Sequence, residues 1–266
     1  MTRVSARASD AANAARRHAQ TIHMPLFMKD PFSLQSTGES DSASAFATAR
    51  APRSAASRRL SPRVVVQPEG APSGGVDADG VLHLTQCSSE GDAFVFGDGS
   101  HPTTRLCAGA VDLLCRQRPG RAVLDVGTGT GILARVARAR GASFVAGTDI
   151  DAASLATARR NAALDATALP IHFGDAAPNA WGARFDLVVA NILADPLMGL
   201  APRLAGALVA GGTLLVSGFT RLQSPFLRQA FEPCGLDFDR EAHDDEWTLL
   251  MFARTAAGRG ARMPVA

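Results

Sequence analysis

The sequence has few cysteines, no long uninterrupted apolar segment and little net charge, and each shortage excludes a class of protein. Its four cysteines are scattered without a Cys-x-x-Cys pair, which argues against a metal site or a disulfide framework and fits a reducing, cytoplasmic compartment. The longest apolar region, residues 185–219, is interrupted by prolines and polar residues, so it is not a membrane span. The formal net charge of +2 is too small to indicate a nucleic-acid partner for the whole chain.

The first 60 residues differ in composition from the rest of the 266-residue chain. They are rich in alanine, serine and arginine and contain few large apolar residues, so they cannot bury enough surface to offset the conformational entropy lost on folding. We predict that residues 1–60 are disordered or lie upstream of the true start. Their arginine-rich, acid-poor composition also resembles a mitochondrial transit peptide. The only predicted contact with nucleic acid is electrostatic, through this basic segment.

The rest of the chain is predicted to hold one main domain with a short lead-in. Apolar runs at residues 63–67 and 81–85 flank a loop rich in proline and glycine, which predicts a hairpin-like lead-in over residues 61–92. The main domain is expected over residues 93–255, and residues 256–266 are expected to form a frayed tail.

A glycine-rich turn, Asp125-Val126-Gly127-Thr128-Gly129-Thr130-Gly131, organises the main domain. It joins an apolar run to an amphipathic run, which predicts a strand, a tight turn and a helix whose free N–H groups face a ligand. A dinucleotide fingerprint would need glycine where Ile132 stands, and a Walker loop would need a lysine. The acid at the strand end repels phosphate but suits an ammonium group, as in S-adenosylmethionine. An ordinary glycine-rich connection is the alternative.

A second acid, Asp149, follows the next predicted strand. It lies about 20 residues past the turn, where a carboxylate can accept hydrogen bonds from both ribose hydroxyls. The alternative is that Asp149 caps the following helix, but Asp151 immediately precedes the helical run and fills that role better. Asp175 ends the third predicted strand and either reaches an adenine amino group or is a turn residue.

Asn191 ends the fourth predicted strand, which is almost entirely apolar and therefore central. Ligands bind at the carboxyl ends of such strands, so Asn191 is predicted to contact the transferred methyl region or the methionine end of the cofactor. The alternative is a capping role, although Asp195-Pro196 already supplies an N-cap with proline at the first helical position.

A glycine-rich loop over residues 94–104 leads into the first helix of the main domain. Thr103 or Thr104 can cap that helix, and the hydroxyl of Thr104 can instead bind a ligand carboxylate; spacing alone does not separate the two roles. His101 precedes a proline in this loop, and a single histidine in a loop is interpreted as a turn residue.

Strands and helices alternate along the main domain, which predicts an α/β, Rossmann-like fold with a mostly parallel seven-stranded sheet. The last strand, residues 246–252, has no helix after it. It is therefore predicted to form an antiparallel C-terminal hairpin with a strand near residues 236–238.

Several segments together resemble the PrmA-type ribosomal protein methyltransferases, over about residues 94–254. They are the His101-Pro102-Thr103-Thr104 loop, the glycine turn, Asp149-Ile150-Asp151, Asn191-Ile192-Leu193-Ala194, Ser217-Gly218 and Glu246-Trp247. The resemblance implies a class I methyltransferase fold, S-adenosylmethionine as cofactor, and a ribosomal protein substrate methylated on lysine side chains or its N-terminal amine.

The resemblance also implies which residues form the site. In the family the cofactor contacts come from positions occupied here by Thr104, Gly127, Asp149 and Asn191. To these the turn itself adds Asp125 and Gly129, and Asn191 is the predicted catalytic residue. No metal is expected.

Two departures from the family keep other functions open. The family carries a separate N-terminal recruiting domain, whereas fewer than about 40 residues expected to be ordered precede this catalytic domain, too few for an independent core. The loop also reads Gly97-Asp98-Gly99-Ser100 where the family has threonines. A methyltransferase for a small molecule or RNA is therefore one alternative, although Ile192 stands where base-amino methyltransferases have proline. A non-catalytic cofactor-binding module is the other.

Overall fold

The structure, a computed structural model, describes residues 57–71, 74–87, 95–165 and 169–255. The expectations for residues 1–56 and for the tail at 256–266 lie outside the described residues. Within the described residues, no helix combines the length and the apolar character needed to cross a bilayer.

The lead-in forms a four-stranded sheet, and its predicted pairing is wrong. The strands are β1 (Arg58–Ser61), β2 (Val64–Pro68), β3 (Gly75–Val76) and β4 (Leu82–Gln86), in the order β1-β2-β4-β3. The predicted strands exist as β2 and β4, but they pair in parallel, with Val64 opposite Leu82. The hairpin is formed instead by β1 and β2 across the tight turn at Pro62. Residues 58–60, predicted to be disordered, therefore belong to a strand.

The main sheet has the predicted architecture. Its strands are β5 (Ala122–Val126), β6 (Phe144–Thr148), β7 (His172–Gly174), β8 (Phe185–Asn191), β9 (Leu208–Thr220), β10 (Leu236–Asp244) and β11 (Trp247–Arg254). The order is β10-β11-β9-β8-β5-β6-β7. Strands β5 to β9 are parallel, and β11 pairs antiparallel with both β9 and β10. The mostly parallel seven-stranded sheet with an antiparallel C-terminal hairpin is thus confirmed.

In the part of the chain that the structure describes, five α-helices accompany the main sheet: α1 (Pro102–Gln117), α2 (Ile132–Ala139), α3 (Ala152–Ala163), α4 (Ala194–Ala207) and α5 (Ser224–Phe231). Short 3-10 helices cover Pro178–Trp181, Arg221–Gln223 and Glu232–Cys234. Helices α1 and α2 contact each other, and α4 contacts α5. Buried aliphatic side chains of β8 and β9 pack with those of α4 and α5 in the main hydrophobic core, and this burial provides most of the stabilisation.

Two helix starts differ from the sequence prediction. Helix α1 begins at Pro102 and is capped by His101, whose Nδ1 accepts a hydrogen bond from the backbone N–H of Thr103 at 3.3 Å, so neither Thr103 nor Thr104 is the N-cap. Proline suits the first helical position, where its missing N–H has no partner to lose. Helix α4 begins at Ala194 without a side-chain cap, so the predicted Asp195-Pro196 cap is wrong.

The predicted cap of α3 is confirmed. The carboxylate of Asp151 accepts hydrogen bonds from the backbone N–H groups of Ala153 and Ser154 at 3.2 and 2.9 Å. These bonds satisfy two of the amides that a helix leaves free in its first turn.

Candidate functional site

The described residues line an open cavity of about 780 Å³ at the carboxyl ends of the central parallel strands. Val126, Thr148 and Asn191, the last residues of β5, β6 and β8, lie on its wall, and so does Gly218 near the end of β9. This is the edge at which ligands bind in open α/β sheets. The volume suits a ligand the size of a nucleoside with a substituent.

The glycine turn forms the floor of the cavity. Gly127 and Gly129 have φ angles of 70° and 53°, in the left-handed region that favours glycine. A Cβ at Gly127 would lie 2.2 Å from Cγ2 of Ile192, and one at Gly129 would lie 2.4 Å from the carbonyl oxygen of Phe96. Both predicted residues line the cavity, and the structure explains why neither position accepts a side chain.

Asp149 stands on the cavity wall and is fixed by two backbone bonds. One carboxylate oxygen accepts a hydrogen bond from the N–H of Gly129 at 2.9 Å, and the other accepts one from the N–H of Asp151 at 3.0 Å. A carboxylate oxygen accepts more than one hydrogen bond. Asp149 therefore holds the turn and can still accept bonds from ligand hydroxyls.

Asn191 also lies on the wall, and its side-chain oxygen has no partner among the described residues. The residue is 8% exposed, and Oδ1 is buried without a hydrogen bond. Its backbone pairs with Ser217 of β9, and it does not cap α4, whose N-cap is Leu193. Because buried polar atoms normally have partners, this oxygen marks a position where a ligand or water is expected.

Thr104 and Asp125 are not on the wall of this cavity. Thr104 is 1% exposed, its hydroxyl has no hydrogen-bond partner within the described ranges, and its neighbour Thr103 lines the cavity instead. Asp125 lies behind the turn, where Oδ2 accepts hydrogen bonds from the Thr128 hydroxyl at 2.7 Å and the N–H of Ala134 at 3.2 Å. Their direct contact with a ligand stays a prediction.

The pKa of Asp125 reflects this position. Burial raises the pKa to about 6, although the hydrogen bonds from Thr128 and Ala134 oppose the shift. Ionisation in a low-dielectric interior is unfavourable. Asp125 therefore ties the turn to the start of α2 and is a poor site for a permanent charge.

An aromatic group that the sequence did not predict completes the wall. The His101 ring lies 4.5 Å from the Trp247 ring and 5.3 Å from the Phe96 ring, between centroids, and all three line the cavity. The interpretation of His101 as a turn residue was incomplete, because it caps α1 and faces the site. Trp247 is far in the chain from Phe96 and His101, so no local pattern predicts its contact with His101.

Burial lowers the pKa of His101, with a further contribution from nearby Arg105. The imidazole is therefore neutral at pH 7. Because Nδ1 accepts the N–H of Thr103, Nε2 carries the hydrogen in this neutral form.

Two residues beside the second acid also line the cavity. Asp175 lines the cavity, as its predicted contact with an adenine amino group requires. Ile150 also lines it, with a fully exposed side chain. Among the described residues there is no group of three or more His, Cys, Asp or Glu side chains placed to hold a metal ion.

The chain is similar to a family of known proteins. A family model described as ribosomal protein L11 methyltransferase (PrmA) matches residues 91–255. The ribosomal protein L11 methyltransferase of Thiobacillus denitrificans is 43% identical over 156 residues, which are 59% of this chain and 51% of that protein. The one of Geobacter sulfurreducens is 38% identical over 194 residues, 73% of this chain and 61% of that protein. The chain thus spans about half to three-fifths of the length of these relatives.

A solved structure extends the comparison to the fold. The ribosomal protein L11 methylase of Lactobacillus delbrueckii subsp. bulgaricus is 31% identical, with a TM-score of 0.63, and the match covers 75% of this chain and 98% of that one. The Rossmann-like class I methyltransferase fold implied by the sequence is therefore confirmed. The matched region contains the glycine turn, Asp149, Asn191 and Trp247, and the chain belongs to the PrmA family of ribosomal protein L11 methyltransferases.

Proposed function

We propose that the chain is an S-adenosylmethionine-dependent protein N-methyltransferase that acts on lysine side chains or the N-terminal amine of a ribosomal protein. The main support for this proposal is the set of groups on the cavity wall. There, two glycines without room for side chains, a fixed carboxylate at Asp149 and the unpaired oxygen of Asn191 face one space. Residues 93–255 are the proposed catalytic domain.

The turn favours a nucleoside without phosphate. Every backbone amide from residue 127 to residue 131 donates to a group of the protein itself; the acceptors are the carbonyl oxygens of Thr148, Phe96 and Thr128 and the carboxylate of Asp149. A phosphate-binding loop needs free amides, and the negative charge of Asp149 adds repulsion. S-adenosylmethionine has ribose hydroxyls and an ammonium group but no phosphate, so it fits these groups.

Different residues of the cavity wall fit different parts of S-adenosylmethionine. Asp149 would accept hydrogen bonds from the ribose hydroxyls, and the glycines would allow close approach of the backbone. Asn191 would use its unpaired oxygen on the amino group of the methionine end or of the acceptor. Thr104 and Asp125 would support the site from behind the wall, Thr104 with its hydroxyl and Asp125 by holding the turn.

Bound S-adenosylmethionine supplies an electrophilic methyl group, so the protein needs no covalent intermediate. The work left to the chain is positioning and exclusion of water. Phe96, Trp247 and Ile192 give the wall apolar surface beside Asn191. His101 is an unsuitable base because Nδ1, the nitrogen without hydrogen in this tautomer, is already engaged by Thr103. We infer that the acceptor amine loses its proton to water before it enters the cavity.

The cytoplasm is the proposed location, because scattered free cysteines suit a reducing compartment and a ribosomal substrate is found there. No membrane is involved in the proposed reaction. The basic segment at residues 1–60 is a further proposed contact, with ribosomal RNA, and such electrostatic binding should weaken steeply as salt is raised.

A labelled-methyl assay tests the proposed substrate. Purified ribosomal protein L11, ribosomal RNA and a protein-free metabolite extract would each be incubated with the chain and methyl-labelled S-adenosylmethionine. Label on lysine or the N-terminal amine of L11 is expected, and the Asn191→Ala variant serves as the inactive control. Label confined to RNA or to metabolites would replace the protein substrate with the corresponding alternative.

A further inference from the structure

The first strand of the small sheet touches the loop that covers the glycine turn. We define the covering loop as residues 95–101, which run from the start of the described range 95–165 to the cap of α1. The loop contributes Phe96 and His101 to the cavity wall. What holds this loop therefore affects the site.

On its inner side the covering loop is bonded to the glycine turn. The carbonyl oxygen of Phe96 accepts the N–H of Thr130 at 3.0 Å, and the carbonyl oxygen of Gly97 accepts the hydroxyl of Thr130 at 2.6 Å. The absence of a side chain at Gly129 is what lets Phe96 approach. The loop and the turn consequently move together or separate together.

On its outer side the same loop rests on β1. The guanidinium of Arg58 donates to the Asp98 carboxylate at 2.5 Å and to the Asp98 carbonyl oxygen at 3.3 Å. Leu60, which is buried, lies so close to Gly99 that a Cβ there would be 2.4 Å from its Cδ2. The ion pair between Arg58 and Asp98 and the packing of Leu60 against Gly99 thus hold the covering loop against β1.

The downstream end of the loop is fixed as well. The carbonyl oxygen of Ser100 accepts a hydrogen bond from Arg105 at 2.7 Å, and Arg105 pairs with Asp244 of β10 at 2.8 Å. This end is held whether or not β1 is in contact. Removing a contact to β1 should therefore free residues 96–99 and leave the start of α1 in place.

We propose that Arg58 and Leu60 are positioning residues for the site, and that β1 holds the covering loop on the glycine turn so that Phe96 and His101 keep their places on the cavity wall. For ligand affinity and turnover this proposal rests on the proposed function. Neither residue lines the cavity, so both act through the loop.

The ion pair is tested with Arg58→Gln, using Arg59→Gln as the matched control. Arg59 is the exposed neighbour on the same strand, and it donates to the carbonyl oxygen of Pro62, away from the loop. Arg58→Gln should weaken the binding of S-adenosylhomocysteine by about 2- to 5-fold, the range expected for a partly exposed ion pair. Arg58→Lys should recover most of this loss, and Arg59→Gln should bind as the wild type does.

The packing contact is tested with Gly99→Ala, using Gly120→Ala as the control. Both glycines have left-handed φ angles, 86° and 82°, so both variants carry similar backbone strain, but nothing lies near a Cβ at Gly120. Only Gly99→Ala pushes against Leu60. Its S-adenosylhomocysteine affinity should fall by at least about 10-fold, as expected when a wall residue moves by about 1 Å.

Amide hydrogen exchange separates this inference from the proposed function. The N–H of Thr130 is protected by the covering loop, whereas that of Leu124 belongs to the central sheet. Faster exchange at Thr130 in Arg58→Gln and Gly99→Ala, with Leu124 unchanged, supports the positioning role even if the wild type does not bind S-adenosylhomocysteine. Unchanged exchange at Thr130, or an affinity that falls only in step with Tm, would overturn it.

Discussion

At the scale of single residues, Asp149 has a structural role and also lies on the cavity wall. Its carboxylate is bonded to the N–H groups of Gly129 and Asp151 and also faces the cavity. Asp149→Ala should weaken S-adenosylhomocysteine binding by about 1–3 kcal/mol, because charge-assisted bonds to ribose hydroxyls are lost.

Calorimetry measures this loss, and Asp151→Ala is the control. Asp151 caps α3 without facing the cavity, so that variant should lose the stability that the helix cap provides and keep its affinity. If the Asp149→Ala protein binds with wild-type affinity, Asp149 does not bind the ribose hydroxyls.

Asn191 is a residue at which function and stability should separate. Its buried Oδ1 makes no hydrogen bond to the described residues that a substitution would break. Asn191→Ala should therefore leave the protein folded with a Tm near that of the wild type, while methyl transfer falls on the order of 100-fold because the reactants are misplaced. Thermal unfolding and single-turnover label transfer give the two quantities. A variant with normal turnover would limit Asn191 to a structural role.

Asp125 should give the protein a recognisable pH dependence. Its pKa is raised from 3.8 to about 6 by burial, so the folded state keeps a proton that the unfolded chain releases. The contribution of Asp125 to the free energy of unfolding should therefore fall as pH rises from about 4 to about 6. Asp125→Asn cannot ionise, and its stability relative to the wild type should rise over this window by up to about 3 kcal/mol.

Urea unfolding of both proteins at several pH values measures that difference. Asp151→Asn provides a control of opposite sign, because hydrogen bonds from Ser154 lower the pKa of Asp151. Its stability relative to the wild type should fall as pH rises through the acidic range. A difference for Asp125→Asn that does not change with pH would show an ordinary carboxyl pKa.

At the scale of elements, local sequence patterns predicted single strands and helices, but they did not predict every strand pairing. The strand, turn and helix around Gly127 follow from adjacent residues, so β5, the turn and α2 were predicted. The parallel pairing of β2 with β4 depends on which strands meet in space. In the same way, Trp247 of β11 reaches His101 only because β11 returns beside β9. Asp149 and Asn191 could be predicted to lie near each other because the ends of strands are visible in the sequence, and both line the cavity.

The close packing of the glycine turn against Ile192 predicts the effect of a substitution at Gly127. Gly127→Ala brings a Cβ to within 2.2 Å of Ile192 at a φ of 70°, whereas Gly182→Ala has a φ of 67° and open space around it. Both variants carry backbone strain of about 1–3 kcal/mol. Only Gly127→Ala should also lose S-adenosylhomocysteine binding, measured by calorimetry with Tm recorded alongside. Equal affinities for S-adenosylhomocysteine in the two variants would mean that the close approach of Gly127 to Ile192 is not needed for binding.

At the scale of the whole molecule, buried arginines join the small sheet to the main domain. Arg140 of the α2 C-terminus binds the carbonyl oxygens of Arg63 and Gly80 and pairs with Asp112 of α1. Arg135, fully buried in α2, binds the carbonyl oxygen of Thr85 in β4 and pairs with Asp165. A buried charge without its partner is strongly destabilising. The small sheet is therefore part of the folding unit that carries the site.

This arrangement predicts where the chain can be shortened. Residues 1–56 have a composition that cannot form a core, so a chain that begins at Ser57 should keep the Tm and the S-adenosylhomocysteine affinity of the full chain. A chain that begins at Arg63 lacks β1 and with it Arg58 and the buried Leu60. Because a lost buried leucine costs about 2–5 kcal/mol, this second chain should unfold at a lower temperature and bind S-adenosylhomocysteine more weakly. If the two chains behave alike, β1 contributes nothing to the site; if the first is already impaired, residues 1–56 pack on the domain.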